Sequence, residues 1–215
     1  MNRFTKLLSF GVLLATSASL AHATLITAGG ATVAPGTTTI AAYTGTSIVG
    51  TAGGTITTPT FSASWTETVY AGASGGSALG TCASGNCLDF VFNFTDISGD
   101  SLEQAAQSKY LGFLVDADYV PGSGVVPSSV NESGTGAVNW NFVNPNTVAP
   151  GSSSDTLVLY TNATSDKAGF FTLQDQTSGF QPDLGPSTVP EPSSLMLLGT
   201  GLLTAVGVAR RKLKA

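Results

Sequence analysis

Apolar and polar residues alternate with period two along much of this chain. Leu88, Phe90, Phe92 and Phe94 fall on one side of a strand, with Asp89, Val91 and Asn93 on the other. Val138, Trp140 and Phe142 alternate with Asn139 and Asn141, and Phe61, Ala63, Trp65 and Val69 oppose Ser62, Ser64, Thr66, Thr68 and Tyr70. Each pattern predicts a strand with one buried face. Weaker strand signals cover Thr37–Tyr43, Ser47–Thr51, Thr55–Thr58, Lys109–Val115, Thr156–Thr161 and Gly169–Leu173. Gly, Pro, Ser and Asn clusters punctuate them, and Gly-rich stretches at 50–54 and 72–80 read as loops. Short strands with such punctuation predict an all-β, antiparallel β-sandwich of the jelly-roll or Ig-like kind. The alternating aromatics are then core residues. One short helix or connecting loop is expected where Ser101-Leu-Glu-Gln104 forms a capping box before Ala105, Ala106 and Gln107.

The two ends break the pattern. Arg3 and Lys6 precede an apolar stretch from Leu7 to Leu20, and Ala21-His22-Ala23 fits a small-x-small cleavage site. Residues 1–23 therefore read as a signal peptide removed by signal peptidase, leaving a mature chain from Thr24. At the other end, Val189-Pro190-Glu191-Pro192 stands before an apolar run from Leu195 to Ala209, and Arg210, Arg211, Lys212 and Lys214 follow. The two prolines forbid helix locally, so this stretch should be extended and open to a protease. The apolar run is short beside the roughly 20 residues of an ordinary membrane span, so it predicts a marginal transmembrane helix with a cytoplasmic basic stop.

This order of motif, apolar run and basic tail over residues 189–215 resembles the PEP-CTERM protein-sorting signal of Gram-negative bacteria. The resemblance implies processing by an exosortase-type enzyme at the inner membrane, then a surface or extracellular fate. The family also brings an association with exopolysaccharide and biofilm.

Charge narrows the chemistry of what lies between. The chain has 8 Lys and Arg, 13 Asp and Glu, and one His. The tails hold every Arg, the His and all but two lysines, so the body keeps Lys109 and Lys167 against twelve acids. Without histidine the body cannot build a Ser-His-Asp or Cys-His arrangement or an imidazole metal site. An acidic surface without arginine repels phosphate, which argues against nucleic-acid binding.

The sole cysteines, Cys82 and Cys87, flank Ala-Ser-Gly-Asn, and in an exported chain they predict one disulfide across a turn. Asp96, Asp100, Asp116 and Asp118 end or follow strands and are weak calcium candidates if they meet at one sheet edge. Glu67 falls on the apolar side of its strand, marking a bulge, a strand end or a perturbed carboxylate. Paired with Asp89 or another acid, it could serve glycoside hydrolysis, which needs two carboxyl groups about 5–10 Å apart. The body is expected over 24–175, with a Gly/Pro-rich linker over 176–188. The resulting expectation is a non-enzymatic surface or matrix protein without a cofactor, the alternative being an extracellular carbohydrate-binding module. Exposure of Trp65 or Trp140 would favour the alternative.

Overall fold

The structure, a computed structural model, describes residues 24–39, 47–71, 79, 87–143 and 145–187. Every regular element among them is a β-strand. They run β1 (Thr24–Ile26), β2 (Gly36–Thr37), β3 (Ser47–Thr57), β4 (Phe61–Ala71), β5 (Leu88–Gly99), β6 (Gln104–Gln107), β7 (Val115–Val120), β8 (Ser129–Glu132), β9 (Val138–Asn141), β10 (Thr156–Thr161), β11 (Ser165–Gln174) and β12 (Ser178–Ser187).

Two sheets form. Sheet A has the order β1-β7-β10-β5-β4-β3, and sheet B the order β12-β11-β6-β9-β8. All pairs are antiparallel except β2, which joins β7 in parallel. The hydrophobic core takes side chains from both sheets. Phe90, Phe92 and Phe94 of β5 project into it, as the alternation predicts. Aromatic pairs tie the sheets together: Trp65 stacks on Phe171 at 4.6 Å, and Phe92 meets Trp140 edge-on at 6.1 Å. Phe94 meets Phe142 at 5.4 Å in the same edge-on way. Such pairs add about 0.5–1.5 kcal/mol each beyond the area they bury. Both tryptophans are core residues, 2% and 0% exposed.

The helix or connecting loop expected over 101–107 contains a strand instead, from Gln104 to Gln107. In β6, Ala105 and Gln107 are buried while Gln104 and Ala106 are half-buried. The strand is hydrogen-bonded to β11 on one side and β9 on the other, and ladders along both of its edges outweigh a local capping signal. Glycines 50, 53 and 54 are likewise not a loop; they lie within β3, one strand where two were expected. A Cβ at Gly53 would stand 2.8 Å from the Trp65 carbonyl oxygen, so glycine permits the close approach of β4. The expected strand from Lys109 to Val115 is a turn instead: Lys109 takes φ 83°, and Phe113 N donates to Tyr110 O at 3.0 Å. The strand proper begins at Val115.

The largest correction concerns 176–188. Ser178–Ser187 is strand β12, paired with β11 over its whole length, so the expected linker belongs to the sheet. Pro182 and Pro186 are tolerated because β12 is the edge of sheet B and needs no ladder bond on its outer side. Thr156–Thr161 matches the expected strand end to end.

Candidate functional site

Acidic side chains gather in two places, separated by sheet A itself. The first is inside the core. Glu67 pairs in register with Ala52 and Phe92, away from either irregularity of its strand, so it marks neither a bulge nor a strand end. It is 1% exposed. Gln107 Nε2 donates to its Oε1 at 2.5 Å, and Leu184 N donates to its Oε2 at 3.0 Å. Tyr110 Oη donates to Gln107 Oε1 at 3.3 Å, extending the chain of bonds. Burial pushes Glu67 up to about 7, against the two donors that favour its charged form, and Asp166 adds to the rise.

Asp183 of β12 completes this centre, 3% exposed. Burial and the Glu67 charge push it up to about 8, with Gln107 opposing. Glu67 and Asp183 therefore make a coupled pair that holds protons near neutral pH. Both are sealed between the sheets, out of reach of a bulky substrate.

The second group lies on the other face of sheet A. Register places Tyr160 of β10 between Asp89 of β5 and Asp116 of β7. Asp118 follows two residues along β7, on the same face as Asp116. Leu79, Val91 and Val158 pack with Tyr160 in a small apolar cluster there. Asp89 and Asp116 are 0% exposed, and no described residue hydrogen-bonds their carboxyl oxygens. Burial alone pushes Asp89 up to about 8. Burial and the neighbouring Asp118 push Asp116 up to about 7, while burial takes Asp118 to about 6. Tyr160 is raised for the same reason, although its hydroxyl meets Thr38 Oγ1 at 2.7 Å.

The expected pairing of Glu67 with Asp89 is therefore not formed. Glu67 shares a face with Phe92, whereas Asp89 lies opposite Tyr70 on the reverse face. The four aspartates named as calcium candidates do not meet either. Asp96 continues the inward series of Phe90, Phe92 and Phe94, with Asp100 and Asp175 as its charged neighbours, while Asp116 and Asp118 face outward from β7. Burial pushes Asp96 up to about 6. Among the described residues no group of three or more acidic, cysteine or histidine side chains is placed to hold a metal ion. Cys87 is buried at the start of β5, and Cys82 lies outside the described residues.

A cleft of about 620 Å³ opens between the loops 120–125 and 151–156, beside Asn93. Its walls are mostly Gly and Ser. Asp155 fixes them by accepting from Gly124 N at 2.9 Å.

The expected signal-cleavage residues Ala21 and Ala23, the Val189-Pro190-Glu191-Pro192 motif and the basic residues Arg210, Arg211, Lys212 and Lys214 all lie outside the described residues. For the C-terminal group, comparison with known families decides the matter: a model described as the PEP-CTERM protein-sorting motif matches residues 188–212. The chain carries a PEP-CTERM sorting motif. Such motifs mark exported proteins with an envelope or surface fate and are processed by exosortases, which supports an exosortase as the processing partner. No curated protein and no solved structure matches the chain. The PEP-CTERM match begins one residue after β12 ends at Ser187. The sorting motif thus follows the folded body directly, without the spacer expected from its glycines and prolines.

Three features of the body were not legible in its residues. Asp183 was hidden in the apparent linker, although Gly179, Gln181, Asp183 and Gly185 keep period two there. Gln107 lies in a segment whose local pattern predicts a short helix or a connecting loop. Phe170 and Phe180, 46% and 65% exposed, stand on the outside of sheet B, where alternating aromatics were expected to be core.

Proposed function

We propose that this is a non-enzymatic protein of the cell envelope or extracellular matrix, exported by an N-terminal signal peptide and released or retained at the surface by exosortase processing. The observation that carries the reading is the sorting motif at 188–212 set directly after β12. The chemistry of the body agrees with it. It lacks histidine and arginine, and its perturbed acids are packed under apolar side chains instead of lining an open cleft. Two antiparallel layers about a shared aromatic core support reading the body as a β-sandwich, a fold suited to a stable extracellular module. Cys82 and Cys87 would clip the β4–β5 connection in an oxidising compartment. A link to exopolysaccharide or biofilm follows from the family association.

The test is the intact mass of the mature protein isolated from its own host. A chain beginning at Thr24 and ending near Pro190–Ser194 supports the reading, and one that keeps Arg210–Ala215 overturns it.

A carbohydrate-binding role is the second reading. The buried tryptophans do not favour it, but the exposed pair Phe170 and Phe180, 5.6 Å apart and edge-on, does.

A further inference from the structure

Two rows of outward side chains cross sheet B, and neither contains an ionisable group. In the first, register sets Gln174 of β11 beside Gln104 of β6, then Asn141 of β9 and Ser129 of β8. In the second, Phe180 of β12 lies beside Thr172, followed by Ala106, Asn139 and Asn131. With strands about 4.8 Å apart, the first row is roughly 14 Å long and the second roughly 19 Å. Hydrogen bonds within the first row hold its amides in place: Gln104 Nε2 donates to Asn141 Oδ1 at 2.9 Å, and Asn141 Nδ2 donates to Ser129 Oγ at 3.2 Å.

We infer that the outward face of sheet B binds an uncharged polysaccharide, with Phe180 and Phe170 against the sugar rings and the carboxamide rows on the hydroxyl groups. The inference rests on the surface-protein reading above and names the partner. A carboxamide offers two donors and an acceptor with two lone pairs, matching a hydroxyl group that both donates and accepts. After these bonds Gln104 keeps an N–H and its carbonyl oxygen, and Asn141 Oδ1 keeps a lone pair. The two aromatic faces, 46% and 65% exposed, supply the apolar contact that a pyranose C–H face requires.

Charge selects among polymers. Two lysines against twelve acids repel an anionic chain, and an uncharged row has no carboxylate to hold a cationic one. A protein partner would want a denser apolar centre than two phenylalanines in a field of amides.

The experiment is co-sedimentation of the mature protein with cellulose, chitin, agarose and starch, and with alginate as the anionic comparison. Retention on at least one neutral polymer, unchanged by added salt, is expected. Phe180→Ala should lower that affinity about five- to tenfold, with Gln174→Ala smaller in the same direction. Both positions are exposed, so unchanged melting temperatures will show that the variants are folded. No retention on any neutral polymer, retention that Phe180→Ala leaves intact, or salt-sensitive retention on alginate alone would overturn the inference. So would self-association abolished by Phe180→Ala, which would assign the face to a second copy. A correctly processed protein that binds none of the polymers removes only the ligand. A protein that binds yet keeps its basic tail removes only the sorting reading.

Discussion

Glu67 and Asp89 sit on adjacent strands but on opposite faces of sheet A, one sealed in the aromatic core and the other beside Tyr160. Their carboxyl groups are buried in different ways. Glu67 accepts two hydrogen bonds, whereas no described residue bonds to Asp89. Removing the carboxyl group should therefore have different consequences at the two sites.

Removing Glu67 as Glu67→Ala strands the Gln107 amide and the Leu184 N–H in the core. Each buried group left without a partner costs about 1–3 kcal/mol, so a loss of about 3 kcal/mol is expected in urea unfolding. Asp89→Asn removes a buried ionisable group that has no described partner, and should be neutral or stabilising at pH 8.

The pH dependence follows from the direction of the shifts. Glu67, Asp89, Asp96, Asp116, Asp118 and Asp183 are all raised above the ordinary carboxylate range, to between about 6 and about 8. A raised carboxyl group holds its proton more tightly in the folded state. Its contribution is full below the unfolded value near pH 4 and is lost as pH rises through the folded value. The melting temperature should accordingly be higher at pH 5 than at pH 9, falling from about pH 4 upward and levelling off by about pH 8. Asp89→Asn should make that slope shallower. A melting temperature that rises over this interval would contradict the assignment.

Trp65 and Trp140 should emit as buried indoles, blue-shifted and weakly quenched by acrylamide, because they are 2% and 0% exposed. Phe171 stacks on Trp65 and also contacts Phe92, so Phe171→Ala should cost about 3–5 kcal/mol. It should make Trp65 the more quenchable of the two.

β12 belongs to the body, so a chain ended after Asp175 should fail to fold, while one ended at Ser187 should fold. Hydrogen exchange supplies an independent check. Amides of 178–187 that donate to β11 should be protected like those of β11 itself, whereas a linker would exchange at once.

Much of the fold could be read from alternation alone. Period two in Leu88–Phe94, Phe61–Tyr70 and Val138–Phe142 names both the strands and their buried faces, because a pleated chain must send successive side chains to opposite sides. The C-terminal sorting motif was equally legible, since its recognition depends on local order and not on folding. Tertiary structure decided the rest. Gln104–Gln107 is a strand because β9 and β11 supply its partners, and Ser178–Ser187 is one because an edge position tolerates its prolines. Which acids meet was also beyond the reach of one strand's pattern. Alternation puts Glu67 on the buried side of β4, but only the registry of the strands and the closing of sheet B over the core set Asp183 beside it and Asp89 behind it.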